Sequence, residues 1–375
     1  MSGAASSARQ WRCLPARWRW MLFPLGLWLA TRVSYLLLGY LSLKLIPGLR
    51  PSASLPLHRY PFLDALCCWD CGWYDRLARE GFRHAYEANF WPGLPFLARW
   101  LSRLTGAPAG MSVVMVANLA CLGAYLTIFR IFLRIEGQAI ARAALLLYAA
   151  YPFAYYHASG YPETIMIFTS ALAVYWAMSG RHAAAGIVLG LGVMSRHLTM
   201  ALGGGLLAAQ LRQRGWRRFF ASPSFLALGL PFAIVGIYLV YCHVHWGDAL
   251  AFWHGRNAWG KVAWWSIVDV LRNYSKRPHI VSFIPFALIP AAGALLLLKS
   301  RKYVELAAAV LPLTALLWFI GAFALGRYSA SCWPAFLPLG SWYVRHPRWQ
   351  VPVLIFFGLA QGWYFFLHSH HYEIQ

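Results

Sequence analysis

Charged residues are scarce in this chain. Only 12% of its 375 residues are charged and 60% are hydrophobic, whereas a soluble domain carries roughly 25% charged residues. This shortage excludes a large water-exposed surface and indicates an integral membrane protein. The formal net charge of +22 does not indicate nucleic-acid binding, because the basic residues lie in short clusters between apolar runs and no soluble face gathers them. We therefore expect no nucleic-acid partner.

The sequence also lacks the short apolar core of a cleaved signal peptide. Its basic N-terminus leads into an apolar run from Met21 to Ile46. That run is longer than the roughly 7–15 residues of a signal's apolar region. We expect it to remain in the protein as a first transmembrane helix.

Further apolar runs recur along the chain to its C-terminus. Because a spanning helix needs about 20 mostly apolar residues, we expect an all-α polytopic membrane protein with about eleven transmembrane helices, in a single domain over residues 1–375. The two runs beside Arg196 are short and predict a broken or re-entrant pair. The runs are 21–46, 111–133, 140–158, 161–179, 183–195, 197–211, 222–243, 278–298, 303–323, 329–344 and 350–367.

Every second connection between these runs is short and basic. By the positive-inside rule, such connections face the cytoplasm together with the N-terminal Arg9 and Arg12. The long connections 47–110 and 244–277 are then extracytoplasmic. Both are rich in Trp, Tyr and Phe, which favour the membrane interface, and we expect amphipathic helices there.

The stretch CCWDCGWYDRLAREGF, residues 67–82, holds three of the seven cysteines. Cys68 and Cys71 form a C-x-x-C with Cys67 beside it, and a zinc site would need further ligands. We expect buried small residues, or a disulfide in an oxidising compartment, rather than a metal or redox centre. The remaining candidate ligands are isolated cysteines and C-terminal histidines: Cys13, Cys121, Cys242, Cys332, His368, His370 and His371.

From Asp70 onward the pattern predicts a short helix that Gly81 ends. Asp70 is placed to cap the first turn of this helix by accepting backbone N–H bonds. It also lies between Trp69 and Trp73, and a partly desolvated carboxylate there is suited to act as a general base. The two roles are compatible.

Two of the polar residues within apolar segments are arginines. Arg32 lies inside the first run, where an arginine is costly, and it either faces a polar cavity or reaches the interface by snorkelling. Arg196 and His197 separate two apolar half-segments, and such breaks line cavities. Because arginines bind phosphates, these positions favour an enzyme that acts on a phosphate-linked lipid.

Other polar residues lie at the ends of predicted spans. Glu163 begins a span, where it either complements the helix N-terminus or belongs to a site. Arg327 and Tyr328 lie at an extracytoplasmic boundary, where an interface anchor is the simplest role. Together with Asp70, they indicate one polar surface on the extracytoplasmic side.

An ordered series of motifs resembles the PIG-V-like mannosyltransferases, the group that contains GPI mannosyltransferase 2 and its prokaryotic relatives. The chain departs from that family at NFWPGLP (89–95), at Pro162 and at Cys68. These departures concern the acceptor specificity more than the fold. In chain order the matching pieces are Arg32, WDCGWYDRLAREGF, SGYPETIMIF, GLGVMSRHLTMAL, WGDALAFWHGRNAWG and GRYSASCWPAFLPL.

The resemblance implies a GT-C glycosyltransferase fold. It further implies an inverting transfer of mannose from a polyprenyl- or dolichyl-phosphate carrier to a hydroxyl of a lipid-linked or glycan acceptor. Asp70 is the implied catalytic base. The implied substrate-binding residues are Arg32, Trp69, Trp73, Tyr74, Glu163, Arg196, His197, Arg327 and Tyr328.

The resemblance also places the active site on the extracytoplasmic side of a bacterial cytoplasmic membrane, or of the ER membrane in a eukaryote. No D-x-D pair or metal-ligand set stands out, so no cofactor is assigned and divalent-metal dependence stays open. Two alternatives remain. One is a GT-C enzyme that uses another lipid-phosphate sugar, and the other is a non-catalytic lipid-sugar transporter or assembly subunit.

Overall fold

The computed structural model describes residues 16–46, 56–220, 222–255, 258, 266–273, 275 and 278–372. Arg9 and Arg12 of the predicted cytoplasmic N-terminus lie outside these residues, as do parts of both long connections. Within the described residues, the regular secondary structure is entirely helical. The predicted all-α class is confirmed.

Short 3₁₀ segments link the α-helices. In chain order the α-helices of the described residues are α1 Leu22–Leu45, α2 Asp70–Glu80, α3 Gly93–Thr105, α4 Ala109–Glu136, α5 Gln138–Ala150, α6 Glu163–Met178, α7 His182–Val193, α8 Gly204–Arg214, α9 Trp216–Phe219, α10 Leu226–Trp246, α11 Ala251–His254, α12 Ile267–Arg272, α13 Pro278–Leu296, α14 Val304–Phe319, α15 Leu325–Ser329, α16 Phe336–Arg345 and α17 Gln350–Ser369.

Among the residues that the structure describes, six helical segments are long and apolar enough to cross a membrane. The protein is an integral membrane protein. Three shorter apolar helices, α5, α6 and α7, accompany the six. Each of the eleven predicted runs contains a helix, but how many of these helices span a bilayer stays a prediction. The six long segments are Trp18–Leu45, Ala109–Glu136, Leu226–Trp246, His279–Lys299, Arg301–Phe319 and Pro347–Ser369.

Two predicted runs contain shorter helices than expected. The run 140–158 holds α5, which ends at Ala150 because Tyr151 precedes Pro152 and takes an extended backbone with ψ of 136°, as residues before proline do. The run 329–344 holds α16, which begins only at Phe336 after a 3₁₀ turn containing Pro334. Helices of 13 and 10 residues are shorter than the roughly 20 residues that a full crossing needs.

Small residues allow close packing between the apolar helices. Helix α16 crosses α5 at Gly340, where an added Cβ would lie only 2.6 Å from the backbone nitrogen of Ala144. Such contacts between small residues are the usual way in which helices associate in a membrane. They form the helical frame on which the polar residues described below are placed.

The basic connections meet at one end of this frame. Arg134 contacts Ser179 at 3.2 Å, Arg212 pairs with Glu305 at 2.7 Å, and Lys302 pairs with Glu136 at 2.7 Å. Helix α6 leads away from this end, and its 16 residues span roughly 24 Å. Glu163, at the other end of α6, is thus separated from the basic end by most of a bilayer thickness.

Candidate active site

Helix α2 begins at Asp70, and the residue before it is strained. Trp69 has φ of 57° and ψ of −122°, a region that non-glycine residues rarely adopt. Its indole nitrogen donates to the carbonyl oxygen of His368 at 3.2 Å, and its ring lies 5.1 Å from that of His371. The C-terminal end of α17 therefore holds Trp69 in place and fixes where α2 starts.

The capping role predicted for Asp70 is wrong. The N-cap is Trp69, and no side chain caps this helix. Because the backbone turns sharply at Trp69, Asp70 becomes the first residue of the helix and its side chain is directed to another partner. Its Oδ2 accepts a 2.7 Å hydrogen bond from Nη1 of Arg327. The predicted end of the helix at Gly81 is confirmed. On the same helix, Asp75 pairs with Arg79 at 2.8 Å.

Four charged side chains form a continuous cluster. Nε of Arg327 lies 3.3 Å from Oε1 of Glu163, and Nη2 of Arg196 lies 3.4 Å from the same oxygen. With the Asp70–Arg327 bond, the order is Asp70, Arg327, Glu163, Arg196. These residues come from α2, α15, α6 and the break before α8, so four separate parts of the chain build the cluster.

Burial differs sharply within the cluster. The side chain of Glu163 is 1% exposed, whereas that of Asp70 is 23% exposed. Charges in a low-dielectric interior interact strongly and are costly to leave unpaired. Glu163 therefore serves as the buried counter-ion of both arginines, and Asp70 is the acidic member that a molecule from outside can reach.

Tyrosine rings form a wall around the two arginines. Arg196 donates a hydrogen bond to the hydroxyl of Tyr328, whose ring lies 5.0 Å from one guanidinium and 5.2 Å from the other. The ring of Tyr161 lies 5.4 Å from the guanidinium of Arg327. These cation–π contacts hold the planar guanidinium groups in fixed orientations.

Arg196 occupies the predicted break between two apolar half-segments. Helix α7 ends at Val193, Arg196 is extended with φ of −156°, and a 3₁₀ segment from His197 to Gly203 precedes α8. The backbone N–H of Gly93 donates to the carbonyl oxygen of Met194 at 2.7 Å. The start of α3 in the first long connection thus docks directly on the turn that positions Arg196.

Three further predicted aromatic or imidazole residues lie close in sequence to members of the cluster, Trp73 and Tyr74 to Asp70 and His197 to Arg196. Tyr74 is fully buried, and burial raises its pKa, with the carboxylates of Asp70 and Glu163 adding to the rise. Its hydroxyl is therefore neutral at neutral pH. Trp73 stacks on Phe90 at 5.4 Å. The ring of His197 lies 6.0 Å from that of Trp91.

Arg32 is held in a different place from the cluster. It donates to Asn118 Oδ1 at 2.8 Å and to the carbonyl oxygen of His157 at 2.6 Å, and it contacts Cys121. Among the described residues, none of its hydrogen bonds reaches Asp70, Glu163, Arg196 or Arg327. Its buried guanidinium instead ties α1 to α4 and to the segment that follows α5.

The cysteines pair differently from the C-x-x-C pattern. A disulfide joins Cys67 to Cys71, while Cys68 is buried and lies outside this bridge. The bridge closes a loop that contains Trp69 and Asp70. Within the part of the chain that the structure describes, no three His, Cys, Asp or Glu side chains come together as a metal-binding group.

Sequence reasoning did not single out Tyr161, which the structure places in the cluster. Besides its ring contact with Arg327, its hydroxyl donates to the carbonyl oxygen of Cys68 at 3.5 Å. Its position two residues before Glu163, in SGYPE, was the available signal. Tyr161 joins the loop that carries Asp70 to the start of α6.

Comparison with known proteins gives matches only at the level of three-dimensional structure. No protein-family model matches the sequence, and no curated protein gives a significant match. The chain is similar to ArnT from Cupriavidus metallidurans bound to undecaprenyl phosphate, with a TM-score of 0.57 and 15% identity over 88% of this chain and 62% of ArnT. The apo state of that protein gives a TM-score of 0.54.

A second similar structure is the Archaeoglobus fulgidus oligosaccharyltransferase in complex with Zn and sulfate. Its TM-score is 0.50, with 16% identity over 92% of this chain and 53% of that protein. The chain has the GT-C fold. This confirms the fold predicted from the motif series. The chain spans less than two thirds of the length of either neighbour.

Proposed function

We propose that this GT-C protein is an inverting glycosyltransferase. It moves a sugar from a polyprenyl- or dolichyl-phosphate carrier to a hydroxyl of a lipid-linked or glycan acceptor. The observation that supports this proposal is the Asp70–Arg327–Glu163–Arg196 cluster, which combines an accessible carboxylate with two arginines fixed by a buried glutamate. The binding of undecaprenyl phosphate by ArnT supports a lipid phosphate as the donor group.

In the proposed reaction, Asp70 accepts the proton of the acceptor hydroxyl. The acceptor oxygen forms a bond to the anomeric carbon from the side opposite the phosphate, and the bond from that carbon to the phosphate oxygen breaks. The bonding electrons leave with the lipid phosphate, and the anomeric configuration inverts. Arg327 and Arg196 stabilise the negative charge that develops on the phosphate.

The net charge of the four side chains is compatible with donor binding followed by proton transfer to Asp70. Its two carboxylates and two arginines sum to zero. A bound phosphodiester adds one negative charge, and it also competes with Asp70 for Arg327. Release of Asp70 from its ion pair would provide the free carboxylate that a general base requires. Donor binding thus prepares the base for the acceptor.

The finer assignment rests on the motif series. WDCGWYDRLAREGF and its companion motifs favour a PIG-V-like enzyme and mannose as the sugar. The basic connections favour a cytoplasmic N-terminus and an extracytoplasmic active site. We propose that Trp69, Trp73, Tyr74, His197 and Tyr328 form the aromatic surroundings of the sugar and the lipid phosphate. Arg32 would support this site from α1 without touching the substrate.

A transfer assay tests the proposal. Purified protein is given polyprenyl-phosphate-mannose and a panel of glycolipid acceptors, and the product is identified by mass spectrometry. Asp70→Asn should lower the transfer rate by about 10²–10⁴-fold, the usual contribution of a general base. Asp75→Asn is the matched control, because Asp75 lies on the same helix but pairs with Arg79.

Other outcomes of this assay overturn specific parts of the proposal. Equal rates for the native protein and Asp70→Asn would remove Asp70 from the role of base. Transfer from a glucose or arabinose carrier, but not from the mannose carrier, would contradict mannose. Donor binding without transfer to any acceptor in the panel would favour a transporter.

A further inference from the structure

A cavity with a basic rim lies at the basic end of the molecule, away from the Asp70 cluster. It has a volume of about 420 Å³ and lies between the start of α7 and the start of α10. Helix α6 separates it from the Asp70 cluster by roughly 24 Å, so the candidate active site does not use it. Its lining includes Arg181, His182, Arg214, Ser224, Leu226 and Leu230.

Positive charge dominates the rim of this cavity. Arg181 and Arg214 are both exposed, and neither forms an ion pair with an acidic residue among those described. Arg181 is also the N-cap of the 12-residue helix α7. The first backbone N–H groups of that helix add partial positive charge at the same place. The cavity is therefore suited to an anion.

A buried imidazole gives an independent indication of a ligand. His182 is 5% exposed and lines the cavity. The imidazole interacts with the side chain of Gln213, and its buried Nδ1 has no partner with hydrogen-bond geometry among the described residues. Buried polar atoms of this kind are almost always satisfied in folded proteins. An oxygen atom of a bound anion would supply the missing partner.

The opposite wall of the cavity is apolar and continues onto the lipid-facing surface. Leu226 and Leu230 come from α10, a helix long and apolar enough to span the bilayer, and Leu226 is 71% exposed. The exposed aromatic residues Trp216 and Phe220 come just before this helix, as is typical of a membrane interface. A polar rim above an apolar wall fits an amphipathic ligand better than a free ion.

We propose that this cavity binds the phosphate headgroup of an anionic phospholipid, with an acyl chain along α10. The arginines and the α7 N-terminus hold the phosphate, and the cavity is a structural lipid site separate from the site of transfer. This inference goes beyond the proposed function and does not depend on it.

Native mass spectrometry of the full-length protein tests this site. Delipidated protein is titrated with phosphatidylglycerol, with phosphatidylcholine as the zwitterionic comparison. Each basic residue near a membrane surface strengthens binding of an anionic lipid about fivefold. Arg181→Gln and Arg214→Gln should therefore each weaken phosphatidylglycerol binding about fivefold, and the double variant about 25-fold. Phosphatidylcholine binding should change little.

Arg217→Gln provides the control for general surface charge, because Arg217 is an exposed arginine on the neighbouring α9 that does not line the cavity. It should bind phosphatidylglycerol as the native protein does. Equal affinity of the double variant and the native protein would overturn the proposal, as would equal weakening by Arg217→Gln. Displacement of the lipid by millimolar inorganic phosphate would contradict a lipid headgroup and indicate a free phosphate site.

Discussion

Glu163 is the residue on which the charged cluster depends most. Its fully buried carboxylate lies within ion-pair distance of Arg196 and Arg327, so it neutralises two arginines that are themselves largely buried. Removing one partner from such an arrangement leaves a buried charge without compensation. The cost is typically ~3–5 kcal/mol.

We predict that Glu163→Gln lowers both stability and transfer. The melting temperature of the purified protein should fall, because both guanidinium groups lose their shared counter-ion. The KM for the lipid-phosphate donor should change together with kcat, since the arginines that hold the phosphate are no longer fixed. Thermal unfolding and steady-state kinetics measure the two effects.

Glu305→Gln is the matched control for this variant. Glu305 is also 1% exposed, lies in the first turn of a helix and pairs with an arginine, but at the basic end of the molecule. It should lower the melting temperature and leave the kinetics of the folded protein intact. If Glu163→Gln behaved in the same way, Glu163 would have a structural role only.

At the scale of single residues, the sequence predicts which polar residues matter and where they lie in the chain. It predicts their ion-pair and hydrogen-bond partners less well. Asp70, Arg196 and Arg327 are recognisable because charges are rare in this chain. Their ion pairs join residues up to 257 positions apart, which no local pattern reveals. Arg32 shows the limit: its sequence position left open whether it faces a polar cavity or snorkels, and its bonds to Asn118 and to the His157 carbonyl depend on tertiary packing.

At the scale of elements, the docking of α3 on the Arg196 turn positions one side of the site. An added Cβ at Gly93 would lie 2.2 Å from Oγ of Ser195 and 2.9 Å from the carbonyl carbon and oxygen of Met194. Only glycine permits this approach, and it allows the hydrogen bond from Gly93 to Met194. The first long connection and the broken helix therefore form one structural unit.

We predict that Gly93→Ala destabilises the protein by about 1–3 kcal/mol, as overpacking does, and reduces transfer by displacing Arg196. Chemical denaturation and the transfer assay would measure the two losses. Gly236→Ala is the control, because an added Cβ within α10 meets no atom within 4 Å. A transfer rate of Gly93→Ala equal to that of this control would show that the contact does not position the site.

Element ends were harder to predict than the elements themselves. The break at Arg196 was visible because a charged pair interrupts two apolar runs. The end of α5 was not predicted because the apolar run continues past Tyr151-Pro152. Hydrophobicity alone does not show that the residue before a proline is disfavoured in a helix. The positive φ of Trp69 likewise depends on the contacts of its indole ring with the end of α17.

At the scale of the whole molecule, the frame has two chemically different ends. One end gathers the basic connections and the cavity between α7 and α10. The other holds the carboxylate and arginine cluster under the first long connection. This separation agrees with the alternation of basic connections in the sequence, which predicts the cluster on the extracytoplasmic side.

Labelling with a membrane-impermeant thiol reagent tests this orientation. Position 83 lies in the first long connection just beyond α2, position 301 lies on a basic connection, and both are exposed. In a Cys13→Ser background the described cysteines outside the disulfide are buried. We predict labelling of Arg83→Cys in intact cells, and of Arg301→Cys only after the membrane is disrupted. The reverse pattern would contradict the orientation.

An experimental structure of the protein bound to a polyprenyl phosphate would test the role of the Asp70–Arg327–Glu163–Arg196 cluster most directly. We expect the phosphate to lie within hydrogen-bond distance of the guanidinium groups of Arg196 and Arg327, with the Asp70 carboxylate released from Arg327 and facing the sugar position. A phosphate bound elsewhere, with the Asp70–Arg327–Glu163–Arg196 cluster unchanged, would contradict that role.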